Sequence, residues 1–182
     1  MSTDFGPIMQ LGYVVADIRQ AAAEWTHRVG AGPFYQIERQ TLDQYHYRGT
    51  SSPVELALAF GYWGNMQIEL IQPLGDRADT PYAQALRDAS GQLNHCAVVV
   101  ADIENLLTRR KLQDRVLHSG QMQSGLRFVY LDQYLPGNLH LELIQSDARS
   151  LAAFDGMQAL SQAWDGQAPL RPITQLQADL QA

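Results

Sequence analysis

The amino-acid sequence predicts an α+β fold: two β-α-β-β-β modules in tandem, forming a curved mixed sheet around a cleft, with a C-terminal helix added. Three observations predict it. Val14-Val15-Ala16-Asp17-Ile18 recurs residue for residue as Val99-Val100-Ala101-Asp102-Ile103. A second echo follows each copy, Gln67-Ile68-Glu69-Leu70-Ile71-Gln72 against His140-Leu141-Glu142-Leu143-Ile144-Gln145. Between the echoes, both halves run through strand-like and helix-like stretches in the same order. An internal repeat constrains an architecture more than any single motif does.

The first half begins with Met9 to Ala16, mostly apolar, β-branched or aromatic, which reads as a strand. Asp17 follows as a helix N-cap, with Gln20 at the third position of a capping box. Ile18, Ala21, Ala22, Trp25 and Val29 recur at helical spacing, so one face is buried. Gly30-Ala31-Gly32-Pro33 stops the helix. Phe34 to Thr41 reads as a strand, and the polar stretch Asp43 to Ser52 as a loop or ragged edge. Val54 to Phe60 is the next strand, Gly64-Asn65 a tight turn, and Met66 to Ile71 the strand that closes the module.

Pro73 to Asp79 reads as a linker, and Thr80-Pro81 caps a short helix from Tyr82 to Ala89. Gln92 to Val100 then repeats the first strand. Asp102 caps a second helix, with Ile103, Leu106, Leu107 and Leu112 on its buried face. Val116 to Ser119 is a weak strand and Leu126 to Leu131 a firmer one. Asp132 to Asn138 forms a turn around Pro136-Gly137, before the last strand, Leu139 to Ile144. Ser150 to Trp164 spaces Leu151, Phe154, Met157, Leu160 and Trp164 as a helix that covers a sheet edge, a sheet face or a partner subunit. The glutamine-rich tail from Asp165 is expected to be poorly ordered at its end. These boundaries give a single domain over residues 1–146, with modules at 8–72 and 92–146 and a linker at 73–91, followed by a helix and tail over 147–182.

Composition excludes several partners. The net charge of −6 argues against nucleic acid. No apolar run approaches the roughly 20 residues of a membrane span, and Met1 to Ile8 lacks a signal-peptide pattern. Cys96, the single cysteine, cannot form an internal disulfide, so a cytoplasmic address is expected. Tail helix and sheet edges both offer surface to bury, which predicts a homodimer.

The repeat also places chemistry. Strand side chains alternate between faces, so Gln10 shares a face with Gly12, and His95 with Ala97. Glu69 and Glu142 occupy equivalent places in the second echo, flanked by Ile or Leu. A strand glutamate usually lies on a solvated face, and a single histidine is usually a surface or satisfied core residue. Two glutamates at matched positions of apolar strands require a shared explanation, because an unpaired buried carboxylate costs several kcal/mol. If a pseudo-twofold axis relates the halves, Gln10, Glu69, His95 and Glu142 converge on one cleft. That oxygen and nitrogen set suits one divalent ion, Zn²⁺, Mn²⁺, Co²⁺, Ni²⁺ or Fe²⁺, and is too poor in oxygen for a dedicated Ca²⁺ site.

With these residues the sequence resembles the vicinal oxygen chelate superfamily, which includes glyoxalase I, methylmalonyl-CoA epimerase, extradiol dioxygenases and bleomycin-resistance proteins. The resemblance rests on Met9 to Ile18 and Asn94 to Ile103, on Ile68-Glu69-Leu70 and on Leu141-Glu142-Leu143, and covers Ile8 to Gln145. It implies that Gln10, Glu69, His95 and Glu142 are the metal ligands. Glutamine at the first position is similar to zinc-type glyoxalase I and departs from the two-histidine, one-glutamate iron site of extradiol dioxygenases. The segment Trp25 to Phe34 and the run Trp164-Asp165-Gly166 resemble a glyoxalase-like subgroup. Gly137 lies one residue further from Glu142 than the usual turn of this superfamily places it.

The function expected from this resemblance is a glyoxalase-like lyase or isomerase. It would act on a small molecule with adjacent oxygens by proton transfer through an enediolate, with Glu142 as base and Glu69 as its mirror. The alternatives are a metal-free small-molecule binding protein and an extradiol-type dioxygenase. His140, Gln67 and Tyr130 are the candidates for substrate contact. Arg127 and Tyr130 are placed on opposite faces, with one of them reaching the cleft. Glu55 is weighed as a base, as in the epimerase branch, and read as solvent-facing; His46 is read as part of a loop, His27 and His118 as surface residues, and Cys96 as core.

Overall fold

A computed structural model describes residues 4–42, 44–75 and 80–181. Residues 76–79 of the expected linker, Asp43 at the start of the expected loop, and the two chain ends lie outside the described residues. Among the described residues the fold is α+β, one mixed sheet of eleven strands with five α-helices. The first module comprises β1 (Ile8–Val14), α1 (Ile18–Val29), β2 (Phe34–Leu42), a hairpin of β3 (His46–Tyr47) and β4 (Thr50–Ser51), then β5 (Val54–Trp63) and β6 (Met66–Pro73). Helix α2 (Pro81–Ala89) leads to the second: β7 (Leu93–Val99), α3 (Ile103–Arg110), β8 (Val116–Gln121), β9 (Arg127–Leu135) and β10 (Leu139–Gln145). Helix α4 (Ala148–Gln162), β11 (Leu170–Pro172) and α5 (Leu176–Asp179) complete the chain.

The strand order is β11-β2-β5-β6-β1-β7-β10-β9-β8-β3-β4. Each module pairs its first and last strands in parallel, β1 with β6 and β7 with β10. The modules join through antiparallel β1 and β7, on the line where a pseudo-twofold axis passes. Three residues separate β2 from β3, yet β3 pairs with β8 near the opposite edge of the sheet. So short a link reaches at most roughly 15 Å. The sheet is therefore curled until its two ends nearly meet around an interior.

Alternation sorts the faces. Ala57, Ala59, Ile68 and Leu70 pack against α1. Val98, Val129, Leu141 and Leu143 pack against α3. Their neighbours Leu56, Leu58, Ile71, Phe128 and Tyr130 turn to the concave side. The two helices start alike. Asp17 Oδ1 accepts from Gln20 N at 3.0 Å, and Asp102 Oδ1 from Asn105 N at 3.0 Å. Among the described residues no reciprocal bond from Asp17 N to Gln20 is made, and Gln20 Nε2 donates to Glu24 Oε1. Instead Gln72 Oε1 accepts from Ile18 N, and Gln145 Oε1 from Ile103 N, both at 3.0 Å. The last residue of the second echo thus satisfies an orphan donor at each helix start.

Three expectations are corrected. The stretch read as a loop or ragged edge is an ordered edge: it includes the β3–β4 hairpin at the end of the sheet, held on β8, with Tyr45 fully buried just before it. The turn after Asp132 is shorter, since β9 continues to Leu135. The tail is built into the sheet: β11 pairs in parallel with β2, and Asp179 Oδ2 accepts from Tyr35 Oη at 2.7 Å and from Arg171 Nη1 at 2.8 Å. Trp164 lies against Gly32, where a Cβ would meet its ring. The two segments that resemble the glyoxalase-like subgroup therefore meet each other and anchor the tail.

Candidate metal centre

The repeat delivers its four polar positions to one place. In the antiparallel β1–β7 pair, Gly12 stands opposite His95 and Ala97 opposite Gln10. Gly12 makes room for the polar side chain of the other module, and Ala97 holds the equivalent place beside Gln10. A Cβ on Gly12 would overlap the His95 ring. Glu69 and Glu142 follow on the flanking strands, opposite Gly12 and Ala97 respectively. The β9–β10 ladder shifts register between Leu139 and Leu141, with the additional residues on β9, and Glu142 points inward.

His95 is fully buried. Its Nε2 lies 3.2 Å from Glu69 Oε2, 3.3 Å from Glu142 Oε2 and 3.3 Å from Tyr130 Oη. The potential ligand atoms of Glu69, His95 and Glu142 all lie within 4.8 Å of one another. One imidazole nitrogen carries at most one proton and cannot satisfy three oxygens. Glu69 Oε2, Glu142 Oε2 and Gln10 Oε1 are buried and lack a hydrogen-bond partner among the described residues. Gln10 is oriented by its neighbour: Gln10 Nε2 donates to Gln67 Oε1 at 2.7 Å, and Gln67 Nε2 to Tyr62 Oη at 3.1 Å. The amide oxygen is thereby left free. Asn94 Oδ1, 3.2 Å from His95 Nδ1, can accept from the Nδ1–H tautomer, which leaves Nε2 as a lone-pair donor.

These residues fit a divalent ion. Without one, burial works against a charged His95, but Glu142 and Glu69 outweigh it and raise its pKa to about 9. Burial also raises Glu142, against the opposing pull of His95. Two carboxylates and an imidazolium leave a net charge of −1 in a buried site. A divalent ion with neutral histidine brings the sum to zero and uses the free oxygens.

The centre opens on an apolar cavity of about 260 Å³, with Gln10, Glu69, Glu142 and Tyr130 in its wall. Both modules of the one chain contribute, as do α4 and the tail through Phe154, Met157 and Leu176. Tyr130 is the strand residue that reaches the interior, while Arg127 pairs with Glu104 on the outer face. Burial, and then the charge of Glu142, hold the Tyr130 hydroxyl well above its ordinary pKa. Gln67 and His140 do not line the cavity. His140 pairs across the sheet with His95, and its Nδ1 accepts from Gln133 N at 3.1 Å. Glu55 pairs with Arg39 at the surface, and Cys96 is buried beyond the cavity wall. His27 and His46 are exposed.

His118 is a correction. Read as a surface residue, it is 3% exposed and stacks on Tyr130, ring centroids 4.0 Å apart and 24° between planes. Burial, followed by the neighbouring histidines, lowers its pKa well below the ordinary value. The only signal for this was its place in a weak strand, two residues after Val116. Tyr82 in the wall was likewise missed, because its helix belongs to neither copy of the repeat.

The sequence profile of the family described as the Glyoxalase/Bleomycin resistance protein/Dioxygenase superfamily matches residues 9–130. Among solved structures, methylmalonyl-CoA epimerase from Mycobacterium tuberculosis superposes with a TM-score of 0.58 at 17% identity, over 84% of this chain and 95% of that one. A hypothetical protein from Bacillus halodurans C-125 gives 0.56 at 16% identity, over 78% and 94%. Another methylmalonyl-CoA epimerase gives 0.50 at 17% identity, over 79% and 97%. No curated protein matches the sequence. At these identities the likeness speaks for the fold alone.

Proposed function

The chain belongs to the glyoxalase/bleomycin resistance protein/dioxygenase superfamily, and from that premise we propose that it is a metal-dependent lyase or isomerase of glyoxalase type. Its substrate is a small molecule with vicinal oxygens, and its step is proton transfer beside a carbonyl. The observation that carries this reading is a set of buried oxygens without hydrogen-bond partners among the described residues: Glu69 Oε2 and Glu142 Oε2 beside His95 Nε2, and Gln10 Oε1 in the wall of the same cavity. Gln10, Glu69, His95 and Glu142 would hold one divalent ion, of Zn, Ni, Mn, Co or Fe. Such an ion supplies Lewis acidity, stabilising negative charge on the substrate oxygens as the carbon loses its proton.

The chain's own groups do the rest. Glu142 takes the proton from the carbon beside the carbonyl and returns it, and Glu69 mirrors it across His95. Tyr130, its hydroxyl kept protonated by burial, donates to a substrate oxygen. Gln67 fixes the amide of Gln10. The cavity walls exclude water from the exchanging proton. Residues up to 146 build the centre, and residues from 147 cover it.

A second reading, a metal-free protein that binds small molecules, is favoured by the apolar cavity. It predicts binding that survives chelation. Extradiol ring cleavage is disfavoured by Gln10 in place of histidine. A homodimer stays part of the proposal: α4 packs on its own sheet, and β11 and β4 are the outer strands that a second copy could meet. No helix among the described residues is long and apolar enough to cross a membrane. A cytoplasmic address stays part of the proposal.

Incubation of the metal-loaded protein with candidate α-hydroxycarbonyl compounds in D₂O tests the chemistry. Solvent deuterium at the carbon next to the carbonyl is expected, and Glu142→Gln should abolish it while leaving the fold intact. Oxygen consumption by an iron-loaded sample would contradict the lyase or isomerase reading. A fully active Glu142→Gln variant would move the base to Glu69.

A further inference from the structure

The cavity wall has a composition that a metal centre alone does not require. Glu69 and Glu142 are its only charged residues among those described. The chain has 13 Lys and Arg, and none of those described reaches the wall. Beyond the centre the polar groups are two tyrosine hydroxyls and two serines, one of them the exposed Ser124. The remaining surface is Leu, Ile, Phe, Met and Ala. The volume of about 260 Å³ falls just below the range of drug-sized sites, roughly 300–1,000 Å³.

We propose that the site selects a neutral α-hydroxyketone, or the matching vicinal diketone, with a compact hydrocarbon body about the size of a single ring. It rejects adducts whose recognition depends on carboxylates or phosphates. The proposal rests on the metal-centre reading for the two oxygens, and on the walls for everything else. A carboxylate or phosphate brought into this cavity loses its water and meets no cation, so it pays desolvation without a partner. Two glutamates whose charge is already balanced by an ion and a neutral histidine offer no attraction either. A hydrocarbon body exchanges water for Leu58, Phe60, Phe128 and Phe154, which favours it by roughly ten- to hundredfold over a methyl group in the same place.

Calorimetric titration of the zinc-loaded protein tests this with four probes: α-hydroxyacetophenone, hydroxyacetone, acetophenone and S-lactoylglutathione. α-Hydroxyacetophenone should bind at least tenfold more tightly than hydroxyacetone, which differs only in carrying methyl for phenyl. S-Lactoylglutathione should give no heat at concentrations that saturate the site with the phenyl probe. Phe154→Ala, on the covering helix, should weaken α-hydroxyacetophenone more than hydroxyacetone, so that the ratio between the two falls several-fold. Hydroxyacetone binding within threefold of the phenyl probe, comparable binding of S-lactoylglutathione, or no binding of the phenyl probe would each overturn the proposal. Acetophenone reports on the metal reading separately. If it binds as well as α-hydroxyacetophenone, the vicinal oxygens are not recognised and that reading fails, while phenyl against methyl still judges the walls.

Discussion

Replacing Gly12 with alanine puts a methyl group where the His95 ring lies. The built position overlaps Cε1, Nε2 and Nδ1 of that ring. The ring is fully buried and cannot swing into solvent. Two effects on stability oppose each other. Gly12 lies within a strand without a positive φ, so alanine fits the backbone and gains roughly 0.4–1 kcal/mol from the stiffer unfolded chain. Overpacking a close-fitted interior costs roughly 1–3 kcal/mol. The net expectation is a loss of about 1–2 kcal/mol, a fall in melting temperature of roughly 2–8 °C for a chain of this size. The effect on the site is larger. A displaced ring takes Nε2 away from Glu69 and Glu142, so metal affinity should fall by at least the roughly 10–100-fold seen when ligand-orienting groups are lost. Urea unfolding and zinc competition against a chromogenic chelator measure the two quantities on one preparation. A Gly12→Ala protein that binds zinc as tightly as the parent would refute the claim that Gly12 exists to admit His95.

The other predictions concern the same interior. In chelator-treated protein the folded pKa of His95, about 9, lies above its usual 6.5. Its stabilisation is therefore fully present below about pH 6.5 and lost as pH rises through about 9, some 3 kcal/mol in all. Glu142, raised by burial, acts in the same direction. Denaturant unfolding between about pH 6 and pH 10 should show this loss in the metal-free protein and not in the loaded one, where the ion replaces the proton. A flat profile in the metal-free protein would contradict the cluster. Asp179→Ala removes the acceptor shared by Tyr35 and Arg171, at a cost of about 1–2 kcal/mol to the docking of the tail. Hydrogen exchange over residues 165–181 should accelerate. Unchanged protection would mean that Trp164 and β11 hold the tail without the latch.

Much of this was legible because the chain states it twice. Asp17 and Asp102 cap equivalent helices, and Gln10 with His95, and Glu69 with Glu142, arrive as pairs. The sequence also displayed Gly12 and Ala97 without giving their reason, which lies in antiparallel pairing across the axis: each faces a polar side chain of the other module. Gln72 and Gln145 stood at the ends of the second echo, but their bonds to Ile18 N and Ile103 N cross between elements and leave no local pattern. What occurs once was harder to read. His118 looks like a surface histidine until β8 and the β3–β4 hairpin enclose it beside Tyr45 and Tyr82. The tail is polar enough to suggest disorder, yet Leu176 is buried and Arg171 and Asp179 are paired across it. The apolar wall draws single residues from many elements, so no stretch of sequence carries its signature.

The metal content of the purified protein tests the central claim most directly. Protein prepared without chelator, analysed by mass spectrometry of its elements, should carry about one divalent transition ion per chain, and Glu69→Gln should reduce that severalfold. A protein that carries no metal, and that none of zinc, nickel, manganese, cobalt or iron binds to or stabilises, would contradict the account. Gln10, Glu69, His95 and Glu142 would then be a buried polar cluster and not a metal centre.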